Sequence, residues 1–209
     1  MIETARDAGV EIVFEDSRRV QRRTGGAVHR GVVAEILPYR YEEWEDLLAR
    51  KPDCLVLADQ VTDPRNLGAI IRSAEAAGAG GIVLPRDRSA GVTPVTAKAA
   101  AGATAFIPIA RVTNVARSLR DLKEGGYWVV GLDAEAKADL FQFSFPSRCV
   151  IAVGSEGKGL RQLTRSECDH LVSIPMFGKV GSLNVSVAAA IALFEWVKQR
   201  QRIDTVRNG

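Results

Sequence analysis

Cysteine, histidine and methionine are scarce in this chain, whose 209 residues include 3, 2 and 2 of them. Cys54, Cys149 and Cys168 are odd in number and form no CxxC pair, so neither a disulfide framework nor a zinc ribbon is encoded. Two of them sit in apolar runs, which reads as buried reduced thiols and a cytoplasmic setting. His29 and His170 stand apart from the cysteines without zinc-ligand spacing, so no metal site is expected, and His170, opening a strand-like run, reads as structural. No serine or cysteine lies in a nucleophile elbow, which disfavours hydrolases. Long apolar runs are missing too. The longest, Val187 to Phe194, falls far short of the ~20 residues a spanning helix needs, and no apolar signal core opens the chain, so no membrane role is expected.

What is present is ordinary for a globular protein: 46% hydrophobic and 25% charged residues, with a net charge of +3 that permits an anionic partner without requiring one. The length allows one substantial core and a small appendage. Residues 1–37 differ in character from the rest. Val10, Ile12 and Phe14 alternate with Glu11 and Glu15 like a half-buried strand; Arg18, Arg19, Arg22 and Arg23 cluster next; a Gly25-Gly26 turn and a second strand, Val32 to Ile36, follow. Residues 38–52 read as a linker, with an amphipathic helix from Tyr39 to Lys51 that puts Trp44, Leu47 and Leu48 on one face.

From Asp53 onward strands and helices alternate. Strands are expected at 54–58, 81–84, 105–109, 127–132, 149–153 and 171–174, and helices at 67–77, about 93–102, 113–124, 159–167 and 183–200. Such alternation predicts an α/β parallel sheet with helices on both faces.

Three stretches carry polar residues where a core element ends and a helix opens: Asp63-Pro64-Arg65-Asn66-Leu67-Gly68, Gly154-Ser155-Glu156-Gly157-Lys158-Gly159, and Ile174-Pro175-Met176 leading to Ser182-Leu183-Asn184-Val185-Ser186. In open α/β sheets ligands bind at such strand ends, so the three imply one composite site. Each residue also has a plainer reading. Asn66 can cap helix 67–77, and Ser182, Asn184 and Ser186 can cap the last helix. Arg72 points away from the Leu67, Ile70, Ile71 and Ala74 stripe, either into solvent or toward an anion that the small neighbours Ala69 and Ala76 let approach. The glycine loop is a poor phosphate loop, because Gly159 follows Lys158 and Glu156 would repel phosphate, although its carboxylate suits a cationic partner. Gln60 to Asn66 lacks the Gly-x-Gly-x-x-Gly turn of a dinucleotide-binding oxidoreductase.

These stretches resemble the three motifs of the SpoU branch of the SPOUT superfamily, RNA ribose 2′-O-methyltransferases. Asp59 to Pro64, Arg86 to Ala90, Arg111 to Asn114 and Ser182 to Val187 are similar to the bacterial 23S ribosomal RNA guanosine 2′-O-methyltransferases within it. The resemblance implies a methyltransferase domain over 53–209 with a C-terminal trefoil knot, a homodimer, and S-adenosylmethionine as cofactor. It implies that residues 1–37 match the last third of an N-terminal α/β RNA-binding domain, with His29-Arg30-Gly31 departing from the usual His-Gln-Gly. Carried over by motif, Arg72, Asn66, Glu156, Ser182 and Asn184 form the catalytic and substrate-orienting set, while Gly154, Ile174, Leu183, Gly131, Leu132 and Met176 contact the cofactor. A transfer RNA methyltransferase and a catalytically silent RNA-binding protein of the same fold are the alternatives.

Overall fold

The computed structural model describes residues 2–26, 29–35 and 37–207, with side chains as far as residue 201. The chain divides into two compact units, Met1–Pro38 and Tyr39–Gly209. The first contains helices α1 (Ile2–Asp7) and α2 (Ser17–Arg23). Asp16 caps α2 by accepting from the amides of Arg18 and Arg19, and Arg23 forks between Glu15 and Glu35, each at 2.9 Å. Neither expected strand forms among the described residues here. Val10, Val13, Phe14, Val32 and Val33 are all exposed, since alternation makes a strand only where a partner supplies ladder hydrogen bonds and a face to bury. Ile36 lies outside the described residues.

In the second unit the helix expected over 39–51 is confined to α3 (Trp44–Ala49). The preceding segment is extended instead: Glu42 donates its amide to the Ile109 carbonyl, and the Tyr41 hydroxyl accepts from the Val92 amide. Then come β1 (Cys54–Ala58), α4 (Pro64–Ala76), β2 (Ile82–Pro85), α5 (Pro94–Ala100), β3 (Ile109–Val112), α6 (Val115–Glu124), β4 (Trp128–Leu132), β5 (Ala138–Asp139), β6 (Cys149–Val153), α7 (Gln162–Glu167), β7 (His170–Ser173) and α8 (Val185–Arg207). The strands form one seven-stranded sheet in the order β3-β2-β1-β6-β4-β7-β5, every pair parallel.

Because a strand's side chains alternate faces, β1 and β6 divide between two cores. Cys54, Val56, Ala58, Ile151 and Val153 pack with α4, α5 and α8, while Leu55, Leu57, Val150 and Ala152 pack with α3 and α6. Leu67, Ile70, Ile71 and Ala74 of α4 are wholly buried, the three larger ones each contributing about 1.5–3 kcal/mol. β3 starts later than expected because Pro108 has no N–H for the ladder; a 3-10 turn at Ala103–Ala105 precedes it, with Phe106 exposed. His170 stacks on Trp128, ring centroids 5.4 Å apart. Since all strands run one way, β1, β6, β4 and β7 end on the same edge, and the loops carrying the three motifs emerge there.

Candidate active site

The loop after β1 turns into α4 at Asp63, whose carboxylate accepts from the Arg65 amide at 2.7 Å, with Pro64 in the first turn. Capping therefore falls to Asp63, and the Asn66 side chain is free. Its Nδ2 donates to Glu156 Oε1 at 2.7 Å, across 90 residues of sequence.

Asn184 closes the arrangement. Its Oδ1 caps α8, accepting from the Ser186 amide at 2.9 Å and the Ser186 hydroxyl at 2.6 Å. With Oδ1 so occupied, Nδ2 must face the other way, and it donates to Glu156 Oε1 at 2.6 Å and to Asn66 Oδ1 at 3.0 Å. Three loops from three strand ends thus meet in a ring of two amides and one carboxylate. Glu156 Oε2 has no partner among the described residues, leaving an oriented acceptor at the surface of the ring.

The loop carrying Glu156 is pinched shut. Ser155 and Gly159 exchange backbone hydrogen bonds at 3.0 and 2.9 Å, and a Cβ on Gly154 would meet the Gly159 carbonyl carbon at 2.0 Å and the Leu160 nitrogen at 2.2 Å. Only glycine fits there. Gly131 is buried and pressed against Cys168, Leu160 and Leu171, so its lack of a side chain serves packing. Burial pushes the Cys168 thiol up to about 12, which removes it as a nucleophile near neutrality.

Two ion pairs anchor the segment after the loop. Asp59, fully buried at the end of β1, meets Arg161 Nη2 at 2.6 Å, and Asp133, just beyond β4, meets Arg165 Nε at 2.6 Å. Burial alone would raise the Asp133 pKa, but hydrogen bonds from Arg165 and the Glu135 amide outweigh it and hold the carboxyl below its usual range. Sequence reasoning missed both pairs. An aspartate directly after a five-residue apolar run was the available signal.

The other expected residues take varied places. Arg72 lies on the exposed face of α4 with no hydrogen bond or ion pair among the described residues, so it is not bonded to the ring. Ser182 is exposed and outside the ring as well. Ile174 and Leu132 are half-buried against the core, Leu183 is half-buried, and Met176 is exposed. Between Ile174 and Leu183 the backbone makes no hydrogen bond to the described chain, so its N–H and C=O groups are available to a ligand. Half-buried apolar side chains, uncommitted backbone groups and one carboxylate beside them suit a flat heterocycle joined to a cationic centre. Among the described residues no cluster is fit to hold a metal ion, and no helix is long and apolar enough to cross a membrane.

Residues 53–194 match the SpoU rRNA Methylase family. The 23S rRNA (guanosine-2′-O-)-methyltransferase RlmB of Salmonella typhi is 45% identical over 205 residues, covering 96% of this chain and 84% of the relative. RlmB of Escherichia coli K12 is 44% identical over 205 residues, with the same coverage of 96% and 84%. Among solved structures, the SpoU methyltransferase AviRb from Streptomyces viridochromogenes, in complex with AdoMet, aligns with a TM-score of 0.66 at 35% identity over 71% of this chain and 58% of that one. The AdoMet-bound rRNA methyltransferase from Sinorhizobium meliloti aligns with a TM-score of 0.70 at 34% identity, covering 76% and 61%. The match spans about three-fifths of the length of these solved neighbours. A parallel sheet whose three motif loops converge on one carboxylate, together with these matches, makes the chain a member of the SpoU rRNA methylase family.

Proposed function

We propose that this protein transfers a methyl group from S-adenosylmethionine to the ribose 2′-hydroxyl of a guanosine in 23S ribosomal RNA. The observation that carries the reading is the Asn66–Glu156–Asn184 ring, joined to 45% identity with an RlmB over 96% of the chain. Gly154, Ile174, Leu183, Leu132 and Met176, with Gly131 behind them, would hold the cofactor, chiefly through backbone groups. When bound, the cofactor supplies an electrophilic methyl carbon on a sulfonium, a leaving group that needs no acid.

The protein's task is then alignment and charge. Glu156 presents Oε2 to orient the ribose while Oε1 stays bound to the two amides. Asn66 and Asn184 fix Glu156, and Ser182 contacts the nucleotide. Arg72, exposed and without a carboxylate partner among the described residues, takes the adjoining phosphate and stabilises negative charge developing on the 2′-oxygen. A guanidinium hardly deprotonates, so it serves as an electrostatic partner and not as the base.

The finer assignments belong to the same reading. The C-terminal part is threaded as a trefoil knot, for which the pinched loop at 154–159 and the packing of α8 on α4 and β6 are the support. A homodimer covers the outer face of α8, where Val187 and Phe194 are exposed. Residues 1–37 belong to an RNA-binding segment, 38–52 link it onward, and the methyltransferase domain is 53–209. The three free cysteines suit the cytoplasm. The test is incubation with labelled S-adenosylmethionine and unmodified 23S RNA, followed by mapping of ribose methylation. Labelled 2′-O-methylguanosine at one position is expected; label confined to transfer RNA would move the substrate, and no label would remove the activity.

A further inference from the structure

A cavity of about 290 Å³ opens beside the ends of β2 and β3, away from the ring of Asn66, Glu156 and Asn184. Tyr41, Glu42, Glu43, Arg86 and Arg111 line it. Its charges do not cancel. Glu42 is committed to Arg50, 2.5 Å away, which leaves Glu43 as the uncommitted carboxylate against two guanidiniums.

Neither arginine of the cavity has an acidic partner among the described residues. Arg111 is held by other means: Nη2 donates to the Arg86 carbonyl and its guanidinium lies over the Tyr41 ring, 5.3 Å from the centroid. Its Nε is buried without a hydrogen-bond partner. A part-buried cation fixed in place with no counterion is costly unless something anionic completes it. Arg86 stands at the mouth, its amide tied to the Val112 carbonyl at 2.8 Å and its side chain exposed.

The cavity shares an edge with the candidate active site. The loop after β2 is joined to the loop after β1, where Ala90 donates to the Val61 carbonyl at 2.8 Å. With ~4.8 Å between neighbouring strands, the end of β3 lies about 10 Å from that of β1, within the span of a short run of nucleotides. Near the opposite ends of the strands several cations are paired: Arg120 with Glu167 at 2.7 Å, Lys123 with Glu167 at 3.4 Å, and Arg200 with Asp53 at 2.6 Å. Among the described residues Arg65, Arg86, Arg88 and Arg111, which follow β1 and β2 or lie in β3, make no ion pair, and neither does Arg72 on the exposed face of α4.

We infer that the Arg86–Arg111 cavity is a phosphate subsite for the RNA backbone next to the methylated nucleotide. The inference rests on the reading of the chain as an RNA methyltransferase. Arg86 contributes charge at the mouth, Arg111 forms the fixed wall, and Tyr41 keeps Arg111 in position. Phosphate contacts set register and carry no base identity, so this subsite governs affinity and alignment, not the choice of nucleotide.

The test compares the full chain with Arg86→Ala and Arg86→Glu on a fluorescent 23S RNA fragment, reading binding anisotropy against salt and, separately, KM and kcat. Arg86 is exposed and its side chain makes no hydrogen bond or ion pair among the described residues, so both variants should fold, as thermal melts will check. Arg86→Ala should lower the slope of log affinity against log salt by about 1, raise KM about tenfold and leave kcat within about twofold. Arg86→Glu should weaken binding further. Inorganic phosphate at millimolar concentration should not compete appreciably, and a neutral methylphosphonate at the flanking linkage should cancel the effect of Arg86→Ala. An unchanged salt slope overturns the inference, as does a loss that tracks base identity. Parent protein that binds RNA with the expected salt response but methylates none would overturn the activity while leaving the subsite standing; parent that binds no RNA overturns both.

Discussion

The buried Asp59 and the partly exposed Arg161 form an ion pair, with 2.6 Å between Oδ1 and Nη2, that ties the end of β1 to the far end of the loop bearing Glu156. The Asp59 side chain is wholly inaccessible, and its other oxygen accepts from the Arg161 amide at 3.3 Å. The carboxylate therefore fixes both the charge and the backbone of the segment it anchors.

Removing one member strands the other. Arg161→Ala should destabilise the fold by about 3 kcal/mol, because a buried carboxylate loses its partner. Urea denaturation checks the stability. Arg161→Lys should recover part of it but not the full kcat, since an ammonium cannot reproduce the guanidinium geometry. A variant with parental stability and parental kcat would show that the pair does not position Glu156.

Arg72 separates catalysis from cofactor binding. Arg72→Ala should abolish methyl transfer while S-adenosylmethionine affinity, measured by calorimetry, stays within a few-fold of the parent. Stability should change by no more than about 0.5 kcal/mol, because the side chain projects from the exposed face of α4. Arg72→Lys should be severely impaired too. Near-parental turnover, or lost cofactor affinity, would refute the role given to it.

Asn184 does two jobs that substitution can divide. Serine keeps an acceptor for the first turn of α8 but has no amide to reach Glu156 and Asn66. Asn184→Ser should therefore melt near the parent yet turn over at least tenfold more slowly, while Asn184→Ala should lose about 1 kcal/mol in addition. Equal turnover in the serine variant and the parent would make the asparagine a cap and nothing more.

Acid should loosen the rim of the sheet. Hydrogen bonds from Arg120, with help from Lys123, hold the Glu167 carboxyl below its ordinary value, and the Arg165 bond does the same for Asp133 against the opposing effect of burial. A carboxylate whose folded pKa is depressed adds stability at every pH above its unfolded value and loses it as pH falls through the folded one. Glu167→Gln should be less stable than the parent at pH 7, with the gap in urea midpoint closing below about pH 4. A gap that persists at pH 3 would assign the effect to packing.

Much of the sheet was legible because its strands are buried on both faces and so read as apolar runs, Cys54 to Ala58 and Cys149 to Val153 matching to the residue. Two-residue β5 has no run to read, and Ala105 to Ile109 misled because the apolar pattern ignored what Pro108 does to a ladder. In residues 10–14 alternation was present and no strand followed, since pairing depends on a neighbour that local sequence does not describe. The polar strand ends pointed to a composite site, but the choice between cap and ligand at Asn66 turned on Asp63, three residues away and able to do the same work. Arg72 was legible as a polar residue off the apolar stripe of its helix and Ser182 as part of a polar helix opening, but their catalytic roles came from motif matching, and neither hydrogen-bonds to the ring.

The contact between Asn66 and Asn184 spans 118 residues, and its bond geometry depends on α8 being capped and docked. Closing so long a loop is among the slower events of folding, because its entropy is lost before the contact repays it. A partly folded or nascent chain can form β1 and α4 and still lack the ring. Methyl transfer is thus expected to lag behind the recovery of helical signal during refolding, making activity a late marker of the finished fold.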